Sequence, residues 1–166
     1  MTSFTTTRFN NETWNENLLY RENANFHGCI YGAPQELSPR IEPKSLVFVV
    51  EMNNSTNQIM GIGLIRNVYV RDRSYHVYNK GNYNRYTFVG KYRIDRDDLS
   101  LDLLNILDTI LFKGKTHLKR GAGFTSIPDK LYRYEICNEV DIKQEIINAF
   151  LSKFEKSREE YKELSV

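Results

Sequence analysis

Residues 111–124, LFKGKTHLKRGAGF, contain Gly114-Lys115-Thr116, the triplet that closes a nucleotide-binding P-loop, together with Lys113, His117, Lys119 and Arg120. Such a stretch has two chemical uses. Its backbone N–H groups can cradle the phosphates of a nucleotide, or its cationic side chains can hold the backbone of a nucleic acid. A P-loop requires a glycine five positions before the glycine of the triplet, and that position is Thr109. It must also lead from a strand into a helix, so that the positive end of the helix meets the phosphate. Here the apolar spacing of Leu103, Leu104, Leu107, Ile110 and Leu111 predicts a helix over 97–112 that ends at the triplet. That end favours cations and suits Lys113 and Lys115, with Gly114 as the C-terminal cap. The P-loop reading is excluded.

Other residues of catalytic type do not assemble into a constellation. His27, His76 and His117 are scattered, and neither HExxH nor GxSxG occurs. Cys29 lies two residues from His27 and would share a strand face with it, but a buried structural thiol is the commoner role of such a cysteine. The acidic pair Asp97-Asp98 sits where a helix start uses it against the macrodipole. Cys29 and Cys137 form no CxxC and no metal-ligand spacing. They read as reduced thiols, the alternative being a disulfide between them. No catalytic residue, metal or cofactor is expected.

Charge is distributed more informatively than its total of +2. Residues 1–63 carry four Lys/Arg and six Asp/Glu, residues 64–133 fourteen and seven, and residues 134–166 five and eight. The basic middle also holds Tyr69, Tyr75, Tyr78, Tyr83, Tyr86 and Tyr92. Cations interleaved with aromatics suit phosphate contacts and base stacking, and equally suit one face of a tyrosine-rich sheet. No apolar run is long enough to span a membrane, and the N-terminus lacks the pattern of a signal peptide. An intracellular protein with no membrane partner is expected. Sixteen asparagines, with abundant Ile, Lys and Tyr, suit an AT-rich coding genome such as that of a large DNA virus.

The elements that must position these residues follow from periodicity and punctuation. SFTTTRF (3–9) is β-prone, and residues 10–23 read as a short helix capped by Asn10 or Asn11, with Trp14 and Leu18 on one face. Residues 26–43 are turn-rich. SLVFVVEM (45–52) and QIMGIGLIRN (58–67) are two strands of a hairpin turning at NNSTN. Gly61 and Gly63 leave one face of the second strand bare, open to a tight bend or the close approach of a ligand. A strand, a loop and a partial strand are expected over 68–84, one strand over 85–94, and a last helix over about 141–160. With no sign of parallel strands joined by crossover helices, the fold class is α+β, in one domain spanning 1–166. Its architecture is a mixed, mostly antiparallel barrel of five or six strands with about three peripheral helices, and residues 139–166 form the C-terminal helical segment.

The order of landmarks, FNNETW, CIYGAP, SPRIEPKSLVFVVEM, QIMGIGLI, YTFVGKYRI and LDTILFKGKTHLKRGAGFTSIP, resembles the EVE and YTH branches of the PUA-like superfamily over residues 3–132. The resemblance implies a small β-barrel holding one flipped-out base, modified or not, in an aromatic pocket with a basic rim for phosphates. RNA or single-stranded or flipped-base DNA would be the partner, and the protein would be a reader rather than an enzyme. Matched position by position, it places Trp14, Tyr31 and Gly32 at the pocket, with Tyr83 or Tyr86 as a second aromatic beside Arg85. Lys115, His117, Lys119 and Arg120 fall on the basic loop. Tyr31 stands where the family has tryptophan, and EPKS (42–45) replaces its KPGD turn. The related ASCH branch implies an alternative, a small hydrolase or nuclease acting on RNA or modified nucleosides, with Lys44 and Glu51 as its only candidate pair. An adaptor with a degenerate pocket is the third alternative.

Overall fold

A computed structural model describes residues 2–154. In chain order the elements are β1 (Thr2–Phe9), α1 (Asn11–Asn23), β2 (Cys29–Ala33), β3 (Leu46–Asn53), β4 (Gln58–Arg66), β5 (Tyr86–Gly90), β6 (Tyr92–Asp95), α2 (Leu101–Phe112), β7 (Phe124–Ser126) and α3 (Ile142–Lys153). Five strands form one mixed sheet in the order β6-β4-β3-β1-β7, and β2 and β5 form a second, antiparallel ladder. The α+β class is therefore as expected.

The centre of the large sheet is β3, all eight of whose residues are buried because both of its faces are covered. On one face Phe48, Val50 and Met52 pack under α2 and α3 with Leu107, Ile146 and Phe150. On the other, Val47 and Val49 pack under α1 and the small sheet with Trp14, Ile30 and Phe88. An apolar run without alternation is the sequence signature of a strand buried on both sides. Cys29 belongs to one of these layers and Cys137 to the other, and both are free thiols.

The hairpin forms as expected, β3 against β4 from Leu46↔Arg66 to Asn53↔Gln58, with a bulge between Glu51 and Met52. Elsewhere the expectations need correction. β1 and β3 run parallel, joined through α1 and β2, so a crossover helix is present after all. The turn-rich segment 26–43 contains β2. The single strand expected over 85–94 breaks at Lys91, with β5 in the small sheet and β6 in the large one. A Cβ on Gly90 would lie 2.0 Å from the Leu64 carbonyl oxygen, so only a glycine lets the chain cross β4 this closely. The strands thus form two ladders that abut at β4 rather than one continuous closed barrel.

Residues 68–84 hold a 3-10 turn at Gly81–Asn84 and no strand. The Asn84 side chain accepts from the Val77 and Tyr78 N–H groups and donates to the Tyr78 carbonyl, doing locally what a ladder partner would do. α2 starts at Leu101, capped by Ser100, because residues 96–98 form a separate 3-10 turn. α3 is capped by Asp141 and ends at Lys153, with Phe154 as its C-cap; residues 155–160 of the expected last helix lie outside the described residues. Among the described residues no helix is long and apolar enough to cross a membrane.

Candidate functional site

A cleft of about 230 Å3 opens at the end of the sheet where β1 runs into α1. Thr7, Arg8 and Phe9 of β1 form its floor, and Asn10, Glu12, Thr13 and Glu16 bring in the first turns of α1. That helix start is set by a reciprocal capping box between Asn10 and Thr13. Gly32 and Pro34 at the end of β2 form one wall with Lys80, Tyr78 and Tyr83, and Gly121-Ala122-Gly123 form another. Gly32 is needed here, since a Cβ would lie 2.2 Å from the Tyr83 carbonyl oxygen. Two expected site residues, Gly32 and Tyr83, therefore meet in the cleft. Asn84 fixes the 77–84 segment that carries Tyr83, whose ring is edge-on to Tyr78 and carries the Lys80 ammonium 5.6 Å from its centroid.

The glycine-rich wall is tied down by one side chain. Arg8 donates to the carbonyls of Gly121 (3.0 Å), Leu118 (3.2 Å) and Gly123 (3.0 Å) and to the Thr125 hydroxyl (2.9 Å). Asn54 donates to the Lys119 carbonyl at 2.7 Å. Lys119 and Arg120 directly precede Gly121 in the chain, but neither side chain lines the cleft. His117 turns its Nδ1 to accept from the Lys119 N–H. The C-cap of α2 is Lys113, in extended conformation, rather than Gly114, whose φ of +77° lies one residue beyond; Lys115 follows beside Thr116, whose hydroxyl contacts that of Tyr134. Neither Lys115 nor His117 lines the cleft. A helix ends at the GKT triplet, so the loop has the polarity opposite to a P-loop.

Tyr31 and Trp14 need correction as site residues: both belong to the core. Tyr31 is 1% exposed, and its hydroxyl donates to Glu51 Oε2 at 2.6 Å. Trp14 packs edge-on to Phe9 and has two guanidinium groups over its ring, those of Arg21 and Arg93, each 5.4 Å from the ring centroid. Glu51 accepts from Arg93 through both oxygens, at 2.6 Å from Nη2 and 3.0 Å from Nε, and Arg93 Nη1 donates to Asp95. Burial disfavours the Arg93 charge, but the Glu51 carboxylate more than offsets it and holds the guanidinium's pKa above its ordinary value. Asn17 extends the network, donating to the Ile30 carbonyl and the Tyr78 hydroxyl while accepting from Arg21 Nε. The buried face of α1 is thus Trp14, Asn17 and Arg21, not Trp14 and Leu18.

The bare face of β4 is explained by the same network. A Cβ on Gly61 would lie 2.6 Å from Arg93 Nη2 and 2.9 Å from Glu51 Oε1, and one on Gly63 2.1 Å from the Tyr31 hydroxyl. The close approach expected of a ligand is made by the protein's own side chains.

The catalytic alternatives are not assembled. Lys44 is exposed before β3 and Glu51 buried near its far end, about 20 Å along the strand. Burial pushes the Cys29 thiol up to about 12, and the neighbouring Glu51 charge acts in the same direction. Among the described residues no group of three or more His, Cys, Asp or Glu is placed to hold a metal. Burial raises Tyr31 and Tyr78 as well. Each of these acids holds its proton more tightly folded than unfolded, so stability is complete below about pH 9 and falls as pH rises towards 12. The expected slope is about 1.4 kcal/mol per pH unit for each group that titrates in the unfolded chain first. Urea titrations at pH 8, 9.5 and 10.5 measure it, and an unchanged midpoint would refute it. Comparison with known proteins finds no matching family model, no similar curated protein and no similar solved structure.

Proposed function

We propose that the protein is a PUA-like nucleic-acid reader that takes one unstacked base of a single-stranded or flipped strand into the cleft between Gly32, Tyr83 and Gly121-Ala122-Gly123. One observation carries the reading: Gly32 and Tyr83, two residues that the EVE/YTH resemblance singles out, converge on a single concavity beside Gly121-Ala122-Gly123. Its volume of about 230 Å3 lies below the ~300–1,000 Å3 of drug-sized ligand pockets, which suits one ring system. Tyr83, not Tyr31, offers the stacking face; Lys80 lines the cleft, and Lys119 and Arg120, next in the chain to Gly121, are available to the adjacent phosphates. Glu12 and Glu16 supply hydrogen-bond acceptors, which favour bases with an exocyclic amino group (cytosine, adenine and guanine) over uracil and thymine.

Anisotropy titrations with a labelled single-stranded oligonucleotide, beside ATP and GTP, test this reading. Salt-dependent oligonucleotide binding is expected, weakened in Tyr83→Ala by ~1–3 kcal/mol, roughly 5- to 150-fold. Saturable ATP or GTP binding with no affinity for oligonucleotides would overturn it.

A further inference from the structure

Beyond the rim, the segment 69–86 builds a surface that the cleft does not use. Arg85 lies over the Tyr86 ring at 5.3 Å, Tyr86 meets Tyr69 edge-to-face at 5.0 Å, and Arg71 lies over Tyr69 at 4.6 Å. The four side chains make one continuous ladder, cation-ring-ring-cation. It starts two residues along the chain from Tyr83, which lines the cleft, because the 3-10 turn delivers the chain directly into β5. Val70 N–H donates to the Thr87 carbonyl at 2.8 Å, which fixes the Tyr69 backbone beside that strand.

Both arginines are exposed, and among the described residues neither forms an ion pair. This is unlike Arg93 and Arg8, whose donors are taken up inside the protein. A guanidinium placed over a tyrosine ring keeps N–H donors available, and the ring reduces the conformational freedom lost on binding. Two fixed forks separated by two aromatic rings suit an alternation of phosphates and bases.

We propose that the strand flanking the bound base leaves the cleft over this ladder, with Arg85 and Arg71 each holding a backbone phosphate and the Tyr86 and Tyr69 edges facing the intervening nucleotides. The partner is a single-stranded polynucleotide several nucleotides long, and the inference rests on the base-binding reading above. It differs from the sequence-based expectation, which put the phosphate track on residues 113–120.

The test compares Arg71→Gln/Arg85→Gln with Lys113→Gln/Lys115→Gln, two exposed pairs whose loss changes net charge equally. Each is titrated with a cytidine or adenosine mononucleotide and with a single-stranded octanucleotide at several salt concentrations. The arginine pair is expected to leave mononucleotide affinity unchanged and to flatten the octanucleotide's log–log salt slope by about 1.4, two contacts at about 0.7 each. The lysine pair is expected to leave that slope unchanged. An unchanged slope in the arginine pair, or equal flattening in both, overturns the path while leaving the cleft in place. Failure of the wild type to bind either ligand overturns the base-binding reading itself. Thermal unfolding of both double variants establishes that the fold is retained.

Discussion

Glu51→Gln is expected to destabilise the fold by about 3–5 kcal/mol, the range for breaking a buried ion pair from one side. The substitution keeps the shape of the side chain and removes only its charge. Arg93, whose side chain is 7% exposed, is then left without the carboxylate that accepts from two of its nitrogens. Trp14 lies against the same guanidinium, and Gly61 gives the pair no side chain to move into. Urea unfolding at neutral pH measures the loss. A decrease below about 1 kcal/mol, the range of a solvent-exposed pair, would show that water reaches the site. Glu51→Leu/Arg93→Met is expected to cost less than Glu51→Gln, because replacing both partners leaves no charge to solvate.

Tyr31→Ala is expected to be similarly severe, about 3–5 kcal/mol, as for other large aromatics removed from a core. The ring is edge-on to Phe124 and enclosed between the two sheets, while its hydroxyl closes over Gly63 onto Glu51. Tyr31→Phe separates the contributions. It keeps the packing and loses one hydrogen bond to a carboxylate, an expected ~1.5–3 kcal/mol. Because both variants act on the Glu51 network, their effects will not add to that of Glu51→Gln. The functional corollary is sharper. Folded Tyr31→Phe should bind oligonucleotides as the wild type does, whereas Tyr83→Ala should not. A stable Tyr31→Ala protein that loses only binding would show the ring to be reachable by ligand and would move the site.

Local signals in the sequence carried much of this organisation. The NNSTN turn between two apolar runs specified the β3–β4 hairpin, and the spacing of Leu103, Leu107 and Ile110 specified α2. Asn10 marked the start of α1, and the GKT triplet at a helix end ruled out a P-loop. These features depend on neighbours within a turn or two, which a sequence displays directly. The basic, tyrosine-rich middle was equally visible, but which of its cations stay exposed and which are paired inside the protein was not.

What the tertiary structure decided was the destination of each polar side chain. Nothing local distinguishes Arg93, consumed by Glu51, from Arg85, lying over the Tyr86 ring, since the partners are 42 residues apart in one case and adjacent in the other. Tyr31 and Tyr83 look alike as residue types; one is sealed by the crossing of β5 over β4, the other left lining the cleft by the 3-10 turn. Gly61 and Gly63 announced a close approach without naming what approaches, because that depends on β6 and β2 packing against β4. The parallel β1–β3 pairing and the break at Lys91 were likewise hidden, as sheet membership is fixed by contacts between distant segments. Sequence determined the locally coded elements and the chemistry available to them; long-range packing determined which of those groups became core and which stayed at the surface.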